Sequence, residues 1–98
     1  MSDYVISKRA IADLDEIWVY TASTWSESKA DKYYEQLRTA IRNLHDLPEF
    51  LSQGYDSIKE GLCGYKVGHH IIFFKRNSDG TIYVERILHE RMDYPQHL

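Results

Sequence analysis

Leu62-Cys63-Gly64-Tyr65-Lys66-Val67-Gly68-His69-His70-Ile71-Ile72-Phe73-Phe74-Lys75-Arg76-Asn77-Ser78-Asp79-Gly80-Thr81-Ile82-Tyr83-Val84-Glu85-Arg86-Ile87-Leu88 decides the fold. It holds three β-prone runs, at 62–67, 69–76 and 81–88. In the middle run His70, Ile72 and Phe74 fall on one face and Ile71 and Phe73 on the other, because side chains alternate along a strand. In the last run Ile82, Val84 and Arg86 alternate with Tyr83, Glu85 and Ile87. Asn77-Ser78-Asp79-Gly80 reads as a hairpin turn, with Gly80 free to take positive φ. Turns this short join only antiparallel neighbours, so the segment is an antiparallel β-meander.

Upstream the period changes from two to about 3.6. Ala10, Leu14, Ile17, Trp18 and Thr21 mark the apolar stripe of a helix over 8–24, with Asp13, Asp15 and Glu16 mostly off it. Ser7 stands where an N-cap would accept an orphan amide. Thr24-Trp25-Ser26 breaks the pattern. A second stripe of Ala30, Tyr33, Tyr34, Leu37, Ile41, Leu44 and Leu47 gives a helix over 26–47, stopped by Pro48. The short link makes the two helices an antiparallel hairpin. Tyr4-Val5-Ile6-Ser7 is a short first strand, and 48–60 is a loop with a short strand near Ser57-Ile58-Lys59. The polar stretch from His89 to Leu98 reads as an exposed tail. The fold class is therefore α+β, in the order β-α-α-β-β-β. A helical hairpin covers one face of the sheet and leaves the other face partly open.

The 98 residues are expected to form a single domain, 1–98, with 43% hydrophobic and 13% aromatic residues to build its core. Net charge is −3: residues 1–58 hold six Lys and Arg against ten Asp and Glu, and 59–98 hold six against five. That is not the footprint of a generic nucleic-acid binder, and no direct nucleic-acid partner is expected. A lone cysteine, Cys63, suits a reducing compartment and reads as a small half-buried filler. Met1-Ser2-Asp3-Tyr4 lacks a leader pattern, and no apolar run approaches the roughly 18 residues of a membrane span, so the cytoplasm is the expected location.

Candidate chemistry is sparse. The glycines at 61, 64 and 68 precede no helix and read as bends, not a phosphate cradle. His69 and His70, adjacent on a strand, point to opposite faces, and no His pair has helical i, i+4 spacing, so no metal or other cofactor is expected. His89 is the natural acid–base candidate but has no evident companion. Lys66, Arg76 and Arg86 share a sheet face in one of the registers open to the meander, and with Lys75 they offer cations to an acidic partner. The surplus aromatics Tyr20, Tyr33 and Tyr34 offer it apolar anchors, although most of the aromatic set reads as core.

Several motifs occur in a telling order. Ser7-Lys8-Arg9-Ala10 leads into Ala12-Asp13-Leu14-Asp15-Glu16-Ile17-Trp18-Val19-Tyr20; Trp25, Ala30, Tyr34, Leu44 and Pro48 follow. Glu60-Gly61-Leu62 leads to Gly68-His69-His70-Ile71-Ile72-Phe73-Phe74, and Arg86-Ile87-Leu88-His89-Glu90-Arg91-Met92-Asp93 closes the set. From about residue 4 to residue 94 this resembles the ParE branch of the RelE/ParE toxin superfamily, and the closing string is its most specific part. The resemblance implies the toxin of a bacterial type II toxin–antitoxin pair. Such a toxin binds and inhibits DNA gyrase without being an enzyme, and a ParD-like antitoxin neutralises it in a hetero-oligomer. It places gyrase binding at His89, Arg91, Met92 and Asp93. Antitoxin contacts are expected at Tyr20, Tyr33, Tyr34, Lys66, Lys75, Arg76 and Arg86. Two positions depart from the family pattern: Ser26 follows Trp25 where Gly is usual, and Cys63 follows Leu62 where Arg is frequent. The alternative is a ribosome-dependent mRNA interferase of the RelE kind, with His89, Arg86, Arg91 and Tyr94 as its catalytic candidates. A third reading is a degenerate toxin kept only as a binding partner.

Overall fold

The computed structural model describes residues 4–98; Met1 to Asp3, part of the stretch tested above for a leader, lie outside the described residues. Strand β1 (Tyr4–Ile6) leads into helices α1 (Lys8–Thr24) and α2 (Glu27–Arg42). Two 3₁₀ turns, Leu44–Asp46 and Glu49–Leu51, precede strands β2 (Gln53–Gly54), β3 (Leu62–Val67), β4 (His70–Arg76) and β5 (Ile82–His89), and a single turn of helix, α3 (Tyr94–His97), follows. The sheet order is β1-β5-β4-β3-β2. β3, β4 and β5 form the expected antiparallel meander, whereas β1 lies parallel to β5.

Local chemistry sets the helix starts. Ser7 Oγ accepts from the Ala10 amide at 3.0 Å and donates to Glu85 O at 2.7 Å, so the cap also ties α1 to the sheet. Ser26 Oγ accepts from the Lys29 amide, so the N-cap of α2 follows directly on Trp25, the cap that closes α1. α2 ends five residues earlier than its stripe suggests, at Arg42 with Asn43 as cap. The 3₁₀ turn that follows repeats every third residue, so Leu44 stays buried and Leu47 half-buried without a continuous α-helix. The extra strand is also displaced, to Gln53–Gly54: Tyr55 to Lys59 turn helically, with the Ile58 and Lys59 amides both donating to Tyr55 O.

The hairpin face of the sheet carries the main core, in which Ala10, Leu14 and Ile17 of α1 and Leu37 and Ile41 of α2 meet Ile72, Phe74, Ile82, Val84 and Ile87. The opposite face is not open as expected. Leu62, Ile71, Phe73 and Leu88 form a second cluster there, covered by Tyr55, Ile58, Tyr94 and Leu98. Half of that cover is the tail, which is therefore docked. Tyr94 stacks edge-on against Phe73 at 5.1 Å and Tyr55 at 6.0 Å, and its hydroxyl donates to Glu90 O. The apolar ends of an otherwise polar tail close a surface that the helices cannot reach.

Between Phe73 and Phe74 the register of β4 on β5 slips, and Glu85 becomes an extra, unpaired residue. β1 ends opposite Val84, which leaves the Ile87 amide on a free edge. Asp13 of α1 fills that vacancy. Its carboxylate accepts from the Ile87 amide at 2.9 Å and from Arg86 Nε and Nη2 at 2.8 and 2.9 Å. Asp13 is thus buried on the α1 stripe, not off it.

A groove between the helical hairpin and the closing strand

Three elements meet at one end of the molecule: the C-terminal half of α1, the first half of α2, and the sheet end where the β3–β4 turn lies beside the last residues of β5. They enclose a hollow of about 500 Å³ walled by Tyr20, Trp25, Lys29, Lys32 and Tyr33 and floored by His69, His70 and His89. Tyr20 and Trp25 are 68% exposed, which is high for such rings and leaves their faces to a partner. Lys29 sits over the Trp25 ring at 4.7 Å. A second hollow, of about 420 Å³, continues from Tyr20, His70 and His89 along Ile17 and Glu16 to Met92 and His97.

The floor is held rigidly. The Tyr33 hydroxyl donates to Val67 O at 3.0 Å, so its oxygen accepts from Nδ1–H of His70 at 2.6 Å. Gly68 makes this approach feasible. Its φ is +59°, and a Cβ there would lie 2.8 Å from the Tyr33 hydroxyl. His69 lies in the turn, outside the strand, so the expected opposition of His69 and His70 does not occur. Both rings approach His89, at centroid distances of 6.2 and 5.3 Å. His89 therefore has imidazole companions, which the sequence reading did not anticipate. Among the described residues no group of three or more His, Cys, Asp or Glu side chains is placed to hold a metal ion.

Electrostatics follow from the packing. Burial, then the neighbouring His89 and His69, push the His70 pKa down to about 4, so its ring is neutral near neutrality. Burial likewise raises the Tyr33 phenol. Glu90 accepts from His69 Nδ1 at 2.7 Å and Lys66 Nζ at 3.2 Å, and these two bonds hold its carboxyl below the usual range. His89 Nδ1 accepts from the Arg91 amide, and the Met92 amide donates to His89 O, which folds the closing turn back onto the strand.

The anticipated partner-binding residues separate into those that share the groove and those that do not. Tyr20, Tyr33 and His89 line it and Met92 lines its extension, whereas Lys66 lines neither hollow and pairs with Glu90. Arg91 and Asp93 are exposed in the closing turn. Tyr34 faces a different shallow hollow, with Trp18 and Asp31. The register divides the cations: Lys66 pairs opposite Ile71 of the outer cluster, and Arg76 opposite Ile82 of the main core. Arg76 reaches Leu47 O, Lys75 pairs with Glu85, and Arg86 is consumed by Asp13 and His97 O. The bonds from Asp13 raise the Arg86 pKa further. Lys29, Lys32, His69 and His70 were missed as groove residues, and Trp25 was weighed only within the aromatic set. Trp25 and His70 had a visible signal, as a large ring in an inter-helix turn and a polar residue on the apolar face of a strand.

A helical hairpin on a five-stranded sheet, with an open aromatic groove at one end and a pinned closing turn beside it, defines a small α+β domain. Residues 4–94 match the family model described as the ParE toxin of the type II toxin–antitoxin system parDE, and the chain belongs to that family. It is 35% identical over 97 residues to Toxin ParE1 of Mycobacterium tuberculosis, covering 99% of this chain and 98% of the relative. It is 30% identical over 98 residues to Toxin ParE1 of Caulobacter vibrioides, covering 100% and 99%. The fold matches a chain of the solved chromosomal ParDE system from P. aeruginosa with a TM-score of 0.72 at 20% identity, over 91% of this chain and 96% of that one. No helix among the described residues is long and apolar enough to cross a membrane.

Proposed function

We propose that this ParE-family toxin acts in the cytoplasm as a single domain by binding DNA gyrase, not by catalysis, and that a ParD-like antitoxin encoded beside it neutralises it. The observation that carries the non-catalytic reading is the fate of the interferase candidates. The Arg86 fork is spent on Asp13, and Tyr94 is spent on the outer cluster with its hydroxyl on Glu90 O. While these bonds hold, Arg86 and Tyr94 are not free to turn to a phosphate beside His89, and of the four candidates only His89 and the exposed Arg91 are left uncommitted in this way. What remains at the closing turn is a surface for a protein target, carried by His89, Arg91, Met92 and Asp93.

The antitoxin contribution is an acidic and apolar segment that folds on the groove, anchored at Tyr20 and Tyr33 beside Lys29 and Lys32, and meets Lys66 only where it wraps onto the outer sheet face. Tyr34, Lys75, Arg76 and Arg86 would meet only the periphery of a wrapping chain. The closeness of His89 and His70 is the one observation that favours the interferase alternative, since two imidazoles can divide acid and base roles. Inducing the toxin in cells separates the readings. Gyrase inhibition gives an SOS response and filamentation, whereas immediate translation arrest with cut mRNA, abolished by His89→Ala, would establish the interferase.

A further inference from the structure

At the start of α1 a separate hollow, of about 400 Å³, has Lys8, Arg9, Lys59 and Arg86 in its walls, and Glu85 as its one acidic side chain among the described residues. It adjoins the hollow beside the closing turn, because Arg86 and His97 line both. We infer that this basic hollow seats on phosphates of the DNA duplex that gyrase holds, so that the toxin grips the enzyme and its DNA together. The inference rests on the proposed reading of gyrase as the target.

Charge carries the first part. Glu85 is already met by Lys59 at 3.1 Å and Lys75 at 3.8 Å, and the Arg86 fork is committed to Asp13 and His97 O. Lys8 and Arg9 are exposed, and among the described residues their side chains make no hydrogen bond or ion pair. The fold gains nothing from cations at that place. The amide end of a helix already carries partial positive charge, and α1 has no acid in its first turn to offset it. Two free cations, with Lys59 and Lys75 beside them, leave an excess of charge that suits an outside polyanion.

Placement carries the second part. β5 spans eight residues, which is roughly 25 Å of strand. Tyr83, Glu85 and Arg86 of this strand line the basic hollow, and its last residue, His89, opens the closing turn. A target seated on the turn therefore brings whatever it binds within about one strand length of Lys8 and Arg9. For gyrase that is a duplex with one phosphate charge per about 1.7 Å of axis. The toxin's own net charge of −3 opposes binding of DNA by free toxin. The contact forms where the enzyme raises the local concentration of phosphate.

The test is titration of full-length toxin onto purified gyrase, alone and loaded with a linear duplex, across a salt series. The duplex should tighten toxin binding at least tenfold. That gain should fall with a slope of about −2 in log K against log salt, as two phosphate contacts require. Lys8→Gln combined with Arg9→Gln, at exposed positions, should erase the gain and its salt slope while leaving the affinity for DNA-free gyrase unchanged. Equal affinity with and without duplex would overturn the inference and leave the functional reading standing. Equal losses in both states on the double substitution would assign the hollow to an acidic protein surface and overturn it as well. Absence of binding to gyrase in either state would overturn both the inference and the reading beneath it.

Discussion

Asp13 concentrates more of the fold than any other polar side chain. One buried carboxylate satisfies an orphan strand amide and both inner nitrogens of Arg86, and Arg86 in turn holds the tail through His97 O. Asp13→Ala would leave a guanidinium and an edge amide without their acceptor, at an expected cost of about 3–5 kcal/mol, to be read from the urea midpoint of unfolding. The sequence did contain the clue. Asp13 falls three residues after Ala10 and four before Ile17, on the stripe itself, and an acid placed there needs a partner. The partner was illegible, because it lies 73 residues away and becomes reachable only through the slipped register at Glu85. His70 gives a second prediction. It is half-buried beside His89 and His69 with Tyr33 on its Nδ1, while Glu90 and Asp13 act in the opposite sense, and its pKa falls from the ordinary 6.5 to about 4. The unfolded chain takes up that proton first, so this stability is fully present above pH 6.5 and is lost as pH falls towards 4. Denaturant midpoints measured across that window should decline for the native protein and decline less for His70→Gln.

The β3–β4 turn and the tail matter most among the elements. The turn positions His69, His70 and the Tyr33 hydroxyl through one left-handed glycine. Gly68→Ala combines an unfavourable φ with a 2.8 Å approach to that hydroxyl. It should cost on the order of 1–3 kcal/mol, measured by thermal unfolding, and loosen antitoxin binding by displacing Tyr33. The polar stretch from His89 to Leu98 reads from sequence as an exposed tail, and loss of such a tail would leave a fold intact. With Tyr94 and Leu98 seated over Phe73 and Leu88, removal of 94–98 should instead cost on the order of 3 kcal/mol, visible in the same melts. Periodicity made the hairpin, the meander and the hairpin turn at 77–80 legible, because each is a local pattern. The parallel pairing of β1 with β5, the early end of α2 and the docking of the tail depend on which apolar faces remain uncovered once the helices have packed. No window of sequence carries that information.

At the scale of the whole molecule, the two sheet faces divide the work. The hairpin covers one and leaves an aromatic groove at its end; the tail covers the other and in doing so fixes the closing turn beside that groove. The site was half legible from the chain. Tyr20, Tyr33, His89 and Met92 were among the residues named from the sequence, but the adjacency of Tyr20, Tyr33 and His89 to Trp25 and His70 is a product of topology. On the proposed reading the toxin acts through its exposed side chains and not through a reactive centre. Met92→Ala, at a 45% exposed position, should therefore reduce target binding at least tenfold while leaving the melting temperature unchanged, as judged by gyrase titration and calorimetry. The most direct measurement is supercoiling of relaxed plasmid by purified gyrase with increasing purified toxin. The expected result is loss of supercoiling in proportion to toxin, restored by the antitoxin and weakened by Met92→Ala. Unimpaired supercoiling at saturating toxin, with ribosome-bound mRNA cut by the same preparation, would contradict it.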